Sequence, residues 1–232
     1  MPCPPAGGGG GGFPLGSRFE FDSEKESRMA EAKKLDAPTL TKSGMGIVDG
    51  IPLEIADESP GALRDAVQLL LDMEAIRRVK HAYFRCIDTG NFEELADLFH
   101  PDVKVHFIGG TYEWKLEGRE EYLASIGQSF HTRSVGHHNG HHPEIEILSP
   151  TRATGVWYLT DNMWVMDQKF FTTGSAIYWD TYLKVDGRWL IADSKYERIY
   201  ELNEQQKAEP RFDYHYLGKY AKPPAPGITG GA

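Results

Sequence analysis

The sequence predicts an α+β domain in which three helices come first and an antiparallel sheet follows. Three observations predict it. Apolar residues recur every three or four positions from Leu69 to Ile87, alternation with a period of two takes over after Glu144, and turn-forming residues separate the segments.

The helical elements come first. Leu69, Met73, Ile76, Val79, Tyr83 and Ile87 trace one face of a long helix, so Tyr83 points with the buried stripe. Asp88-Thr89-Gly90 ends that helix. Asn91, with Glu94 three residues on, supplies an N-cap and a capping-box partner for a short second helix running to Phe99, and Pro101 stops it. Val103 to Ile108 and Thr111 to Leu116, around Gly109-Gly110, read as a hairpin, and Gly118 to Phe130 as a third, amphipathic helix.

Strands follow at Glu144 to Leu148, Thr154 to Met166, Ala176 to Val185 and Arg188 to Tyr200, with Ser149-Pro150 and Asp186-Gly187 as turns.

At 232 residues the chain is one domain with tails. Residues 1–58, Gly/Pro-rich and charged, lack apolar periodicity and read as a disordered tail; residues 59–202 form the domain, and 203–232 a C-terminal extension that is Pro/Gly-rich at its end. The glycine run Gly7 to Gly12 satisfies GxGxxG trivially, but no strand precedes it and no Gly-Lys-Ser/Thr follows, so it is not read as a phosphate loop. Met29 offers an alternative start.

Twenty-five Lys and Arg against 34 Asp and Glu give a net charge of −9, which repels nucleic acid and anionic membranes. Cys3 and Cys86 are the two cysteines, too few for a disulfide framework. With no apolar run of the roughly 18 residues that a membrane helix needs, and no secretory signal, a soluble cytoplasmic protein is expected. Five Trp, 11 Tyr and 11 Phe supply a core and an aromatic pocket, for which Trp157, Trp164, Phe171 and Tyr178 are the candidate walls.

Asp88 ends a helix, where the dipole disfavours a carboxylate, so it wants a partner; an exposed turn aspartate is the plainer reading. Tyr83 alone reads as core. The segment Gly136 to Glu144 holds four of the nine histidines, His137, His138, His141 and His142, and three readings compete: a general base, a zinc or iron site, or a hydrated loop shaped by Asn139-Gly140 and Pro143. The metal reading lacks HExxH, CxxC or His-x-His. Asp161 shares a strand face with Trp157, Leu159 and Met163, either as a carboxyl kept protonated by apolar neighbours or held by a donor, or as part of a water-facing bulge.

The run Ala82-Tyr83-Phe84-Arg85-Cys86-Ile87-Asp88, then Leu98-Phe99-His100-Pro101-Asp102-Val103, resembles the SnoaL-like branch of the nuclear-transport-factor-2-like superfamily. Gly118-Arg119-Glu120 opening the third helix, His-x-x-x-x-Pro-x-Ile from His138 to Ile145, and the Tyr182 to Trp189 hairpin follow in that family's order; the likeness spans about Leu69 to Tyr200. The resemblance implies a cone-shaped curved antiparallel sheet wrapped round three N-terminal helices, with an apolar cavity at the wide end.

Within the family the chain is most similar to the cofactor-independent dehydratases, such as bile-acid 7α-dehydratase, scytalone dehydratase and hexachlorocyclohexane dehydrochlorinase. That likeness implies a catalytic set of Tyr83, Asp88, His138 (or its neighbour His137) and Asp161, with no metal and no cofactor. It further implies a small hydrophobic cyclic substrate, such as a hydroxylated polyketide-like or steroid-like carbonyl compound, and a homotrimer or homodimer. Isomerases and cyclases share the scaffold and its first proton abstraction. So do the non-catalytic β subunits of ring-hydroxylating dioxygenases, and a binding module without turnover is a further reading.

Overall fold

The computed structural model describes residues 41–224. The glycine run, Met29 and Cys3 lie outside the described residues, as do the last eight residues of the chain.

Helix α1 (Pro60–Thr89) is longer than its apolar stripe, starting nine residues before Leu69. Ser59 caps it by accepting from the Ala62 N–H, and Pro60 takes the first position, where a missing N–H costs nothing. Its end is the expected one: Gly90, at φ +64°, returns its N–H to the carbonyls of Cys86 and Ile87. Asn91 then caps α2 (Phe92–Ala96), accepting from Glu94 N–H while its amide donates to the Glu94 carboxylate.

Strand β1 (Phe99–Ile108) begins before Pro101, and β2 (Glu113–Glu117) returns antiparallel to it through the Gly109-Gly110 turn. Helix α3 (Arg119–Ser129) precedes four long strands: β3 (Ser134–Ser149), β4 (Arg152–Val165), β5 (Phe170–Val185) and β6 (Arg188–Gln205). A short helix α4 (Tyr216–Tyr220) follows.

The six strands form one curved, open sheet in the order β2-β1-β6-β5-β4-β3. Every neighbouring pair is antiparallel except β1 and β6, which run parallel with Val105 opposite Ser194, so the expected antiparallel meander holds from β3 to β6 but not at that seam. The return of β6 to the middle of the sheet produces it, because β1 and β2 were laid down before α3 carried the chain across to the far edge.

The histidine segment is not a loop. His137 to His141 pair residue by residue with Asn162 to Tyr158 of β4, and the irregularity comes only after His141, where His142 takes a positive φ of 49° and the register shifts before Glu144. Pro143 and Asn139-Gly140 favour turns locally, but β4 supplies a long partner edge that overrides them.

One apolar cluster joins the concave face of the sheet to α1 and α3, with Ile76, Leu95, Phe99, Tyr122, Trp157 and Ile191 at or near zero exposure. Inside it lies a charged pair: Lys80 Nζ stands 2.8 Å from Asp180 Oδ2, both side chains fully buried. Asp180 also accepts from Tyr182 and Ser194, each at 2.7 Å, which offsets part of the cost of burying its charge. Ahead of α1, the Ile51 N–H donates to the Ile147 carbonyl of β3.

Candidate active site

The site grows from the end of α1. Tyr83, Phe84, Ile87 and Asp88 leave the last turns of that helix on the side facing the sheet, because they continue the stripe that buries Ile76 and Lys80. Strand β3 lies opposite and presents His138. The His138 Nδ1 is 2.6 Å from Asp88 Oδ1, and the His138 backbone N–H donates to Asp88 Oδ2 at 2.9 Å. The carboxylate therefore holds both ring and main chain of one residue, which makes Nδ1 the protonated nitrogen and leaves Nε2 with its lone pair. His137 points to the other face and is exposed, as alternation along a strand requires.

His138 opens onto a largely apolar cavity. Apolar and aromatic side chains make most of the wall: Ile87 and Tyr83 from α1, Phe107 from β1, Phe130 after α3, Leu159 and Met163 from β4, and Tyr178 and Tyr196 from β5 and β6. The Phe84 ring lies nearly parallel to the imidazole, with centroids 6.4 Å apart.

Tyr83 brings a phenol to the same space. Its hydroxyl lies 3.1 Å from Tyr122 Oη and 3.4 Å from Tyr178 Oη. Burial, then the neighbouring Tyr178, pushes its pKa well above that of an ordinary tyrosine, so it is a neutral hydrogen-bond donor. Lys80 Nζ sits over the rings of both Tyr178 and Tyr83, at 3.6 and 4.6 Å from the centroids.

Asp161 is in the cavity wall and is held by a donor, one of the readings that its strand position allowed. Arg198 of β6 grips it with both terminal nitrogens, at 2.5 and 2.8 Å. A bidentate guanidinium favours a carboxylate over a neutral acid. For Arg198, burial opposes the charge, yet the Asp161 hydrogen bond and attraction lift its pKa above the ordinary arginine value. Glu201 completes the polar end, its Oε2 3.4 Å from Arg198 Nε.

The predicted aromatic walls divide. Tyr178 lines the cavity; Trp157, Trp164 and Phe171 do not. Trp157 has the right strand parity but lies deeper, fully buried, donating from Nε1 to Tyr182 Oη at 3.1 Å. Trp164 and Phe171 are direct cross-strand partners that stack on each other, 4.6 Å between centroids, with Phe212 of the C-terminal extension against Trp164. Trp164 differs by an odd number from Leu159, Asp161 and Met163, so the pleat turns it to the opposite face.

Sequence reasoning missed Arg198, Glu201, Phe107, Phe130 and Tyr196. The last had a signal, alternation with Arg198 along β6. Two register shifts hide Arg198 and Glu201, one opposite Thr181/Tyr182 and one opposite Ser175/Ala176, each moving β6 by one residue, so that Trp189 and Ile191 face inward first, then Ser194, Tyr196 and Arg198, then Glu201.

Among the described residues, no group of three or more His, Cys, Asp or Glu is placed to hold a metal ion, and His141 and His142 face each other, Nδ1 to Nδ1 at 2.6 Å, on the strand's other side. No described helix is long and apolar enough to cross a membrane.

The model of the SnoaL-like domain family matches residues 68–195, which runs from α1 through the histidine strand to β6 and so takes in Tyr83, Asp88, His138 and Asp161. The chain belongs to the SnoaL-like family. Solved structures repeat this SnoaL-like architecture. One described as a putative scytalone dehydratase from Novosphingobium aromaticivorans is 24% identical over 67% of this chain and 95% of its own, at a TM-score of 0.52. A hexachlorocyclohexane dehydrochlorinase from Novosphingobium barchaimii is 17% identical over 62% and 98%, at 0.53. One described as a putative aromatic ring hydroxylase from Novosphingobium aromaticivorans is 15% identical over 58% and 94%, also at 0.53. At these identities the likeness is one of fold.

Proposed function

We propose that this SnoaL-like protein is a cofactor-independent lyase that eliminates water from a hydroxylated cyclic carbonyl compound. The observation that carries the reading is the His138–Asp88 contact at the wall of an apolar cavity. An imidazole with Nδ1–H fixed on a carboxylate has its Nε2 free to take a proton, and general base catalysis of this kind contributes roughly 10²–10⁴ in rate. The scytalone dehydratase and dehydrochlorinase folds among the similar structures are consistent with elimination chemistry.

In the proposed reaction Nε2 of His138 takes the proton α to the carbonyl. Asp88 stabilises the resulting imidazolium. The electron pair of the broken C–H bond passes to the carbonyl oxygen, and Tyr83, the neutral phenol at the cavity wall, donates to the developing enolate. As the enolate collapses, the carbon–carbon double bond forms and the β-carbon–oxygen bond breaks. The proton held by His138 passes to the leaving hydroxyl, so one water departs and the base is restored. A water held by Asp161, itself locked on Arg198, assists the leaving oxygen. Isomerisation or cyclisation would share the first step and differ in where the proton returns.

The test is a screen of hydroxylated cyclic ketones for loss of water by mass spectrometry, with His138→Gln as control. Dehydration by the unaltered protein and none by the variant is the expected result; dehydration by both overturns the assignment of the base.

A further inference from the structure

The polar end of the cavity carries an imbalance that the elimination reading does not use. Three side chains with fixed formal charge line the cavity: Arg198, Asp161 and Glu201. One guanidinium stands between two carboxylates, and both terminal nitrogens are already committed to Asp161. Glu201, the ion-pair partner of Arg198 Nε, is also held by other donors. Its Oε1 accepts from Asn203 Nδ2 at 2.9 Å and from Thr111 Oγ1 at 3.4 Å, its Oε2 from the Gly110 N–H at 3.4 Å, and its side chain is 5% exposed. Arg198 Nε is buried and faces Glu201 Oε2 at 3.4 Å without a well-aligned hydrogen bond to any described residue. Asp88 adds a further carboxylate behind His138, while Lys80 and Asp180 beneath the tyrosines cancel each other.

From this arrangement we infer that Glu201 is a specificity determinant, and that the cavity selects uncharged, hydroxyl-bearing ligands and rejects carboxylates. The inference rests on the cavity being a small-molecule site, as proposed above, and names the class of substrate it takes. A ligand hydroxyl suits the polar end because it can donate its hydrogen to the Glu201 carboxylate. A carboxylate has no hydrogen to donate, and it adds negative charge to a partly dry space whose single guanidinium is already neutralised. Charges that are buried or partly buried are screened by salt much less than surface charges are. An arginine in a cavity ordinarily suggests an anion subsite. Here its two acidic partners reverse that reading.

The experiment is a binding measurement at neutral pH by isothermal calorimetry, using 6-hydroxy-2-tetralone and its 6-carboxylate counterpart on the full chain. The neutral probe is expected to bind at least about tenfold more tightly, and Glu201→Gln, checked for folding by circular dichroism, to close most of that gap. Equal binding, or tighter binding of the carboxylate, overturns the inference, as does a folded Glu201→Gln protein with the gap unchanged. If Glu201→Gln does not fold, the two probes on the unaltered protein still decide. Because only binding is read, the inference separates from the lyase reading: a preference for the neutral probe supports the selectivity whether or not the separate screen of hydroxylated ketones finds loss of water. Binding of neither probe overturns the cavity as a ligand site, and the selectivity with it.

Discussion

Asp88 holds His138 at two points, the ring through Nδ1 at 2.6 Å and the main chain through its N–H at 2.9 Å. The second contact explains why a carboxylate is tolerated in the last turn of α1, where the helix dipole opposes it. Fifty residues apart in sequence, the end of a helix and the edge strand of a sheet are pinned together by one side chain. Asp88→Asn keeps the acceptor oxygen but not the charge. It is expected to lower turnover roughly 10²–10⁴-fold with the fold intact, and nitrogen-15 NMR of the imidazole should show loss of the single Nδ1–H tautomer.

Tyr83→Phe removes one hydroxyl from a cluster of three phenols. Stability should fall by only about 1 kcal/mol, the net value of an ordinary hydrogen bond. Turnover should fall by roughly 10²–10³, the cost of deleting a donor to a developing oxyanion. Urea melts alongside steady-state rates separate the two effects.

Lys80→Met leaves Asp180 charged and unpaired in the core. The expected loss is about 3–5 kcal/mol in urea unfolding. Lys80→Met combined with Asp180→Asn should recover part of it, since the charge is gone, one of Tyr182 and Ser194 keeps an oxygen acceptor and the other hydroxyl can turn to accept from the new amide. A double variant as unstable as the sum of the single ones would show that the pair is not coupled.

Acid should loosen the entrance to β3. His131 is buried, its Nδ1 accepts from the Arg133 N–H, and burial followed by nearby Arg133 hold its pKa below the ordinary histidine value against the pull of Asp167. A lowered folded pKa means that the unfolded chain binds the proton first. The stability it contributes is complete above about pH 6.5 and is lost as pH falls from there through the folded value. Melting temperature should drop between pH 7 and pH 5, and His131→Gln should flatten that drop.

How much of this was legible in the sequence depends on the residue. The end of α1 was, because Asp88-Thr89-Gly90 and Asn91-x-x-Glu94 are local signals that the structure reproduces in its caps. The partner strand of Asp88 was not, since turn-formers and paired histidines gave β3 the look of a loop and only β4 makes it a strand. Trp164 and Phe171 failed as cavity residues because aromatic content says nothing about which face of a pleat a side chain takes. Arg198 and Glu201 reach the cavity through two slips of register in β6, and no residue type marks those positions.

The most direct test of the central claim is solvent deuterium exchange at the carbon α to the carbonyl of a cyclic ketone bound in the cavity, followed by mass spectrometry with and without His138. The unaltered protein should wash deuterium into that position, and His138→Gln, folded by circular dichroism, should do so no faster than buffer. Exchange at the full rate in the variant would contradict the account, because some other group would then be removing the proton.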